Sequence, residues 1–426
     1  MKEIALAVIG SGSTYCPELM DGFIKARDSL KLRRVAFMDI DERKRTVVGG
    51  LCIRQLQAAG IRCETVLTDS LEEALTGADF VVTQVRVGKL AARHLDETIP
   101  LKYGLIGQET TGIGGFFKAL RTIPVIAEVA ARMQALCPEA WLINFANPSG
   151  IIAEYLANYT PVKSAGLCNV PINMLEDVRR CVGREAEITY LGLNHLSWIS
   201  SVKVRGEELL ERMFQPGFAP TVMNNIRNDG FDADFCLHSV KGFPSSYLQY
   251  YYSRNKKLAH LQQESKSRAQ VCMEIEEELL KLYADENLRE KPALLDRRGG
   301  HRYSLAAVSL IDSIANDKRD VQVVNIQNRG TLPFMEDSDV VEIAARVGKE
   351  GFEPLPVTAW SPHMAALMRA VKTYEKYTVE AALTGSDAAA LAALTVHPLI
   401  GDFDAARACY EEMKQAHRQY LPRFFA

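Results

Sequence analysis

The sequence predicts an α/β protein: a doubly wound, mainly parallel sheet in the N-terminal half, followed by an α+β second domain. Three observations carry this. Residues 4–9 form a continuous apolar run that stops at Gly10, as a strand buried on both faces does. Apolar strands and amphipathic helices then alternate as far as about residue 190, the βαβ rhythm of a doubly wound sheet. Beyond that point the pattern changes to longer helices. The chain has 426 residues, more than one ordinary domain, and is divided here into 1–190 and 191–426.

Taken in order, 17–30 reads as the first helix, with Leu19, Met20, Phe23 and Ile24 at helical spacing. Residues 34–38 form the second strand, which ends at Asp39. Helices at 42–60 and 70–77 bracket a short strand at 63–67, and 78–85 is another buried strand. A helix at 117–136, a strand at 140–144, a helix after Pro148 and a strand leading into Cys168 complete the first half. In the second half the clearest helices are 264–284 and 364–384, while the charge- and proline-rich stretches 285–300 and 348–362 read as surface segments.

Composition narrows the partners. Formal net charge is -3 and the lysines and arginines are scattered, so there is no basic footprint for nucleic acid or an anionic membrane. A small-molecule partner is expected. The nine cysteines are odd in number and lack CxxC spacing, which reads as reduced thiols that mostly fill the core. The N-terminal apolar run is interrupted by Glu3 and ends at Gly10, too short for a signal or membrane segment. A cytoplasmic protein is the expectation.

Gly10-Ser11-Gly12-Ser13 lies between the first strand and helix, where backbone N–H groups and a helix N-terminus can hold a pyrophosphate. Tyr15 stands where the full G-x-G-x-x-G fingerprint has its third glycine. Asp39, 27 residues after Gly12, can accept hydrogen bonds from a ribose hydroxyl and disfavour a 2′-phosphate. The turn therefore reads as a Rossmann-type site for NAD rather than NADP; the alternative is a plain βα turn with a solvated aspartate.

Asn144, Asn147, Cys168 and His195 all fall at predicted strand carboxyl ends, where a doubly wound fold opens its ligand crevice. Thiolate plus imidazole suits a borderline divalent ion, with substrate oxygens completing the shell. A buried cysteine and a hydrogen-bonded histidine is the alternative. The segment Gly107-Gln108-Glu109-Thr110-Thr111-Gly112-Ile113-Gly114-Gly115 reads as a polar loop closing over a ligand. Arg86, just past the fourth strand, could grip a phosphate bidentately or pair with Asp96 or Glu97. Tyr247, Tyr250, Tyr251 and Tyr252 form an aromatic cluster; a tyrosine beside a cation can become a base.

Together these motifs resemble glycoside hydrolase family 4 over essentially the whole chain. The matching blocks are Gly10 to Ser13, Ile99-Pro100-Leu101-Lys102-Tyr103-Gly104 leading into Gly107, Asn144-Phe145-Ala146-Asn147-Pro148-Ser149-Gly150, Cys168-Asn169-Val170-Pro171 and Gly192-Leu193-Asn194-His195. The resemblance implies an architecture like that of lactate and malate dehydrogenases and a cytoplasmic homodimer or homotetramer. It implies NAD at Gly10, Gly12, Ser13, Asp39 and Asn144, and Mn²⁺ on Cys168 and His195, with Co²⁺, Ni²⁺ or Fe²⁺ able to replace it. Arg86, Glu109, Asn147, Asn169 and Arg268 are the implied substrate contacts, and Tyr247 the implied base. Lys89 and Ala146 depart from residues common in the family, glycine and threonine respectively.

Cys-Asn-Val-Pro looks like the 6-phospho-β-glucosidase branch. The implied reaction hydrolyses a phosphorylated disaccharide or β-glucoside by C3 oxidation, C2 deprotonation, aglycone elimination, water addition and C3 reduction; the family is an exception to two-carboxylate glycoside hydrolysis. Rival readings are a 2-hydroxy acid dehydrogenase of the lactate/malate type, a noncatalytic NAD sensor, and an α-glycosidase of the same family, which Asn169 disfavours.

Overall fold

In the computed structural model, which describes residues 2–221, 226, 228–298 and 303–426, strand β1 (Lys2–Ile9) lies inside the first half because Ile4 to Ile9 are apolar on both faces and at most 2% exposed. Around it lie β2 (Leu30–Met38), β3 (Glu64–Thr68), β4 (Phe80–Thr83), β5 (Trp141–Asn144) and β6 (Lys163–Gly166). All six are parallel, in the order β3-β2-β1-β4-β5-β6. The strand order reverses between β1 and β4, so the crevice at their carboxyl ends is the natural ligand site.

The connecting helices are α1 (Cys16–Lys25), α2 (Glu42–Ala58), α3 (Leu71–Leu75), α4 (Lys89–Thr98), α5 (Gly112–Leu136), α6 (Ser149–Tyr159) and α7 (Asn169–Val182). Helix α1 ends five residues before the expected 30. The amides of Ser29 and Leu30 both bond the Ala26 carbonyl in a tight turn, and Leu30 already belongs to β2, paired with Lys2. An apolar residue at that point fits either period, and strand pairing decided it.

Helix α5 begins at Gly112, so the second part of 107–115, expected as a loop closing over a ligand, is helical. Gln108, Glu109, Thr110 and Thr111 are buried. A Cβ at Gly114 would sit 2.3 Å from the Gln108 carbonyl oxygen and 2.7 Å from that of Asp96. The glycines there let backbones touch in the interior.

The second half adds β7 (Glu187–Leu193), β8 (Leu196–Val204), the two-residue strands β9 (Glu207–Glu208) and β10 (Phe243–Pro244), β11 (Asp320–Gln327), β12 (Val340–Gly348) and β13 (Gly351–Pro354). These continue the first sheet: β11 pairs antiparallel with β6, and the order runs on as β6-β11-β12-β7-β8-β10. The segment 348–362 contains β13, which folds back onto β12. Residues 299 and 300 of the segment 285–300 lie outside the described residues; within it Leu294–Arg297 is a short helix. The two long helices are Arg268–Tyr283, started by a Ser267/Gln270 capping box, and Pro362–Thr384. Among the described residues no helix is long and apolar enough to cross a membrane.

A buried ion pair ties α4 to α5. Arg121 grips both carboxylate oxygens of Asp96 and donates from Nε to the Val87 carbonyl at 3.0 Å, with Arg121 2% and Asp96 0% exposed. Arg121→Met strips that buried carboxylate of its guanidinium partner and leaves only the His417 ring, at 3.0 Å, beside it, so a loss of about 3–5 kcal/mol is expected in urea unfolding. Adding Asp96→Asn should recover much of it; a single variant as stable as the parent would contradict this role.

Candidate active site

The turn after β1 is built as a phosphate cradle. Gly10 has φ +89°, and a Cβ there would lie 2.8 Å from the Val85 amide nitrogen, so only glycine lets β1 and β4 close this tightly. Asp39, at the end of β2, accepts from the Gly12 amide at 2.8 Å and from the Asp41 amide at 2.9 Å, which places its carboxylate directly beside the turn. Ser13 accepts from the Tyr15 amide through Oγ at 3.3 Å. Tyr15 occupies the third-glycine position with its ring under the Arg298 guanidinium, 5.1 Å from the ring centre. Lys89, at the start of α4, reaches Asp41 at 2.7 Å, and that bond raises its pKa. The loops after β4 and β2 are thereby bridged beside the turn.

Cys168 caps the N-terminus of α7, its sulfur accepting from the Val170 amide at 3.5 Å. Helix dipole and N–H donor favour a thiolate there, yet burial, then the charge of Glu342, push the free thiol up. His195 stands at the tip of the β7–β8 hairpin with φ 65°. It is 6% exposed, and burial, then the nearby Lys118 charge, take its pKa down to about 3. Its imidazole is therefore neutral, the form that binds metals, and its buried Nδ1 has no hydrogen-bond partner. Asn194, the preceding residue, bonds the Cys168 sulfur, linking the two turns. Among the described residues no cluster of three or more His, Cys, Asp or Glu side chains forms a metal cage. The donor set thus fits a divalent ion held by one sulfur and one nitrogen, with coordination positions left for ligand oxygens.

Tyr247 lies on a short 3₁₀ turn, Ser246–Leu248, and its ring stacks on His195 with centroids 3.9 Å apart and planes within 7°. Of the tyrosine cluster, this is the ring that meets the histidine face to face. Tyr251 instead bonds Thr111 at 3.1 Å, and Tyr252 accepts from the Trp198 indole at 3.1 Å.

The charges of Lys118 and Glu109 that act on His195 belong to a buried cluster. Arg86 pairs with Glu109, not with Asp96 or Glu97 as the sequence alternatives had it, because Arg121 already occupies Asp96 and Arg93 bonds Glu97 at 2.7 Å. Arg93 also reaches Glu109 at 2.9 Å and Lys118 reaches it at 2.7 Å. Burial alone would raise the Glu109 carboxyl, but the three cations hold it well below its ordinary value. Surplus positive charge falls on the one cation able to release a proton: burial and then Arg86 take Lys118 down to about 7.

The remaining predicted residues divide. Asn147 follows β5, and Asn169 opens α7 beside Cys168 with 7% exposure. Asn144 does not offer its amide to the crevice. It is fully buried, accepting from Thr83 at 2.8 Å and the Ala146 amide at 3.1 Å and donating to the Ala146 carbonyl at 3.0 Å, so it shapes the turn carrying Asn147. Arg268 is not a solvated face residue; its Nη2 donates to the carbonyls of Arg297 and Arg298 at 3.0 and 2.9 Å. Lys118 and Glu342 escaped the sequence reading. Each is a lone charge inside an apolar run, Phe116-Phe117-Lys118-Ala119-Leu120 and Val340-Val341-Glu342-Ile343, and that was the available signal.

The profile described as family 4 glycosyl hydrolase matches residues 5–184, and that of the family's C-terminal domain matches 190–400. The chain belongs to glycosyl hydrolase family 4. Within the family it is 42% identical to a probable 6-phospho-β-glucosidase of Bacillus subtilis, across 100% of this chain and 98% of that one. A maltose-6′-phosphate glucosidase of the same organism is 28% identical over 99% and 97%. The crystal structure of a Thermotoga maritima 6-phospho-β-glucosidase with manganese, NAD⁺ and glucose-6-phosphate superposes with a TM-score of 0.89 at 36% identity, covering 98% of this chain and 99% of that one. A malate dehydrogenase of Cryptosporidium parvum shares the fold alone, at 14% identity and a TM-score of 0.53.

Proposed function

We propose that this family 4 chain hydrolyses 6-phospho-β-glucosides with NAD and Mn²⁺. The observation that carries the reading is the Tyr247 ring stacked on a buried, neutral His195 whose neighbour Asn194 bonds Cys168. A phenol is thereby held against the ring of one metal-ligand candidate. When bound, NAD supplies a reversible hydride acceptor for sugar C3 and the metal ion a Lewis acid for the neighbouring oxygens.

The chain's own residues divide the remaining work. Gly10, Gly12, Ser13 and Asp39 receive the dinucleotide at the switch point, with Asp39 aimed at a ribose hydroxyl. Cys168 and His195 hold the metal ion. Tyr247 removes the C2 proton through its phenolic oxygen. Arg86, set in a cluster with more cations than carboxylates, faces the 6-phosphate, and Glu109 orients it. Asn147, Asn169 and Arg268 line the sugar side. Residues 1–190 carry the nucleotide, while 191–426 contribute His195, Tyr247 and the surfaces of a homodimer or homotetramer. The β rather than α branch is supported by Cys168-Asn169-Val170-Pro171 and by the higher identity to the β-glucosidase relative.

Hydrolysis of p-nitrophenyl 6-phospho-β-glucoside tests this directly. Activity is expected only with NAD⁺ and Mn²⁺ both present, and it should be lost with the unphosphorylated or α-linked analogue. Equal turnover of the α-linked compound, or turnover without either cofactor, would overturn the reading.

A further inference from the structure

Behind the Cys168 and His195 turns lies a carboxylate with no part in the reaction described above. Glu342 is 1% exposed on β12. Its donors are all neutral: Tyr190 Oη at 2.7 Å, Asn194 Nδ2 at 3.3 Å and Asn325 Nδ2 at 3.3 Å. Burial, joined by the like charge of Glu375, pushes the carboxyl up to about 7. Other buried carboxylates nearby are compensated, Glu109 by Arg86, Arg93 and Lys118, and Glu154 by Lys372 at 2.7 Å.

Strand register explains where this charge is aimed. Gly166, Asn325, Glu342 and Gly192 are successive cross-strand partners over β6, β11, β12 and β7. Gly166 lies two residues before Cys168 and Gly192 three before His195. Asn325 also donates to the Gly166 carbonyl at 3.2 Å, while Asn194 accepts from the Gly150 amide at 3.3 Å. One row of the sheet therefore braces both ligand-bearing turns, with Glu342 in it and its charge felt at the Cys168 sulfur.

We propose that Glu342 is a positioning residue whose negative charge balances the divalent cation held by Cys168 and His195. The inference rests on the metal reading given above. A neutral imidazole and one thiolate leave a divalent ion with a surplus positive charge in a buried site, and one further carboxylate cancels it. The same charge without a cation is a buried, uncompensated anion, which is costly. The residue thus acts on the ion through space and, by way of Asn194, on the geometry of the turns.

The test is Mn²⁺ affinity by calorimetry on the full-length metal-free protein, with NAD affinity measured alongside. Glu342→Gln keeps the shape and removes the charge; Mn²⁺ affinity is expected to fall by about tenfold or more while NAD affinity is unchanged. Glu342→Asp, which keeps the charge, should retain most of the Mn²⁺ affinity. An unchanged Mn²⁺ affinity in Glu342→Gln overturns the inference. So does an equal loss in Glu342→Asp, or a parallel loss of NAD binding, since each marks a merely structural residue. If Glu342→Gln does not fold, Glu342→Asn against Glu342→Asp poses the same question, with equal affinities overturning the proposal. Cys168→Ser separates the two claims. Loss of Mn²⁺ there with no change in Glu342→Gln defeats this inference alone, whereas parental affinity in Cys168→Ser defeats the metal reading and this inference with it.

Discussion

Cys168→Ser is expected to remove Mn²⁺ binding and reduce hydrolysis to background, while NAD binding and the fold survive. The sulfur caps α7, and a serine oxygen can take over that cap, accepting from the Val170 amide as the sulfur does now. What serine cannot supply is a soft anionic ligand. Its hydroxyl stays protonated where the thiolate would form, and only the imidazole nitrogen of His195 remains of the proposed protein ligands. Metal affinity should drop by more than the roughly 10–100-fold that outer partners of metal ligands command. His195→Ala should behave the same way, losing in addition the surface on which Tyr247 stacks. Calorimetric titration with Mn²⁺ and the chromogenic assay check both; full activity in either variant after chelator treatment would remove the metal assignment.

For Tyr247→Phe the expected loss is about 10²–10⁴-fold in turnover, the usual contribution of a positioned general base. This substitution isolates chemistry from packing. The ring that lies 3.9 Å from the His195 ring is retained, so the 4%-exposed pocket it fills stays filled, and only the phenolic oxygen goes. Affinities for NAD and Mn²⁺ should be unchanged. In deuterated water the parent enzyme should place deuterium at C2 of the product, and the variant should lose that exchange in step with turnover. Unchanged turnover in Tyr247→Phe would mean that another group is the base, and retention of the original C2 hydrogen in the parent would sink the elimination route altogether.

Where the sequence reading succeeded, the controlling interactions were local. Apolar runs such as 4–9 specify buried strands, a glycine-bounded turn leads into α1, and the helical pattern at 264–284 marks the helix Arg268–Tyr283. Where it erred, a distant partner decided the matter. Arg86 had carboxylates on offer at Asp96 and Glu97, but Arg121, arriving from α5, takes the first, and Arg93 takes the second. Residues 107–115 read as one polar loop over a ligand, yet 112–115 open α5 and the carbonyls of Gln108 and Asp96 crowd Gly114, and no pattern in the segment itself announces them.

By itself the sequence determined the alternation of strands and helices in the first half, the glycine turn after the first strand and the motifs carrying Cys168, His195 and Tyr247, because each is encoded in contiguous residues. Only the tertiary structure decided that Tyr247 rather than Tyr250, Tyr251 or Tyr252 lies on the histidine, and that Asn144 serves its own turn. The same holds for β11 and β12, which continue the first sheet and bring Glu342 behind the ligand turns. The physical reason is common to all three. Strand register and close packing join residues far apart in the chain, Thr83 with Asn144, His195 with Tyr247 and Gly166 with Asn325, and the charge and hydrogen-bonding environment of a site is the sum of those distant arrivals.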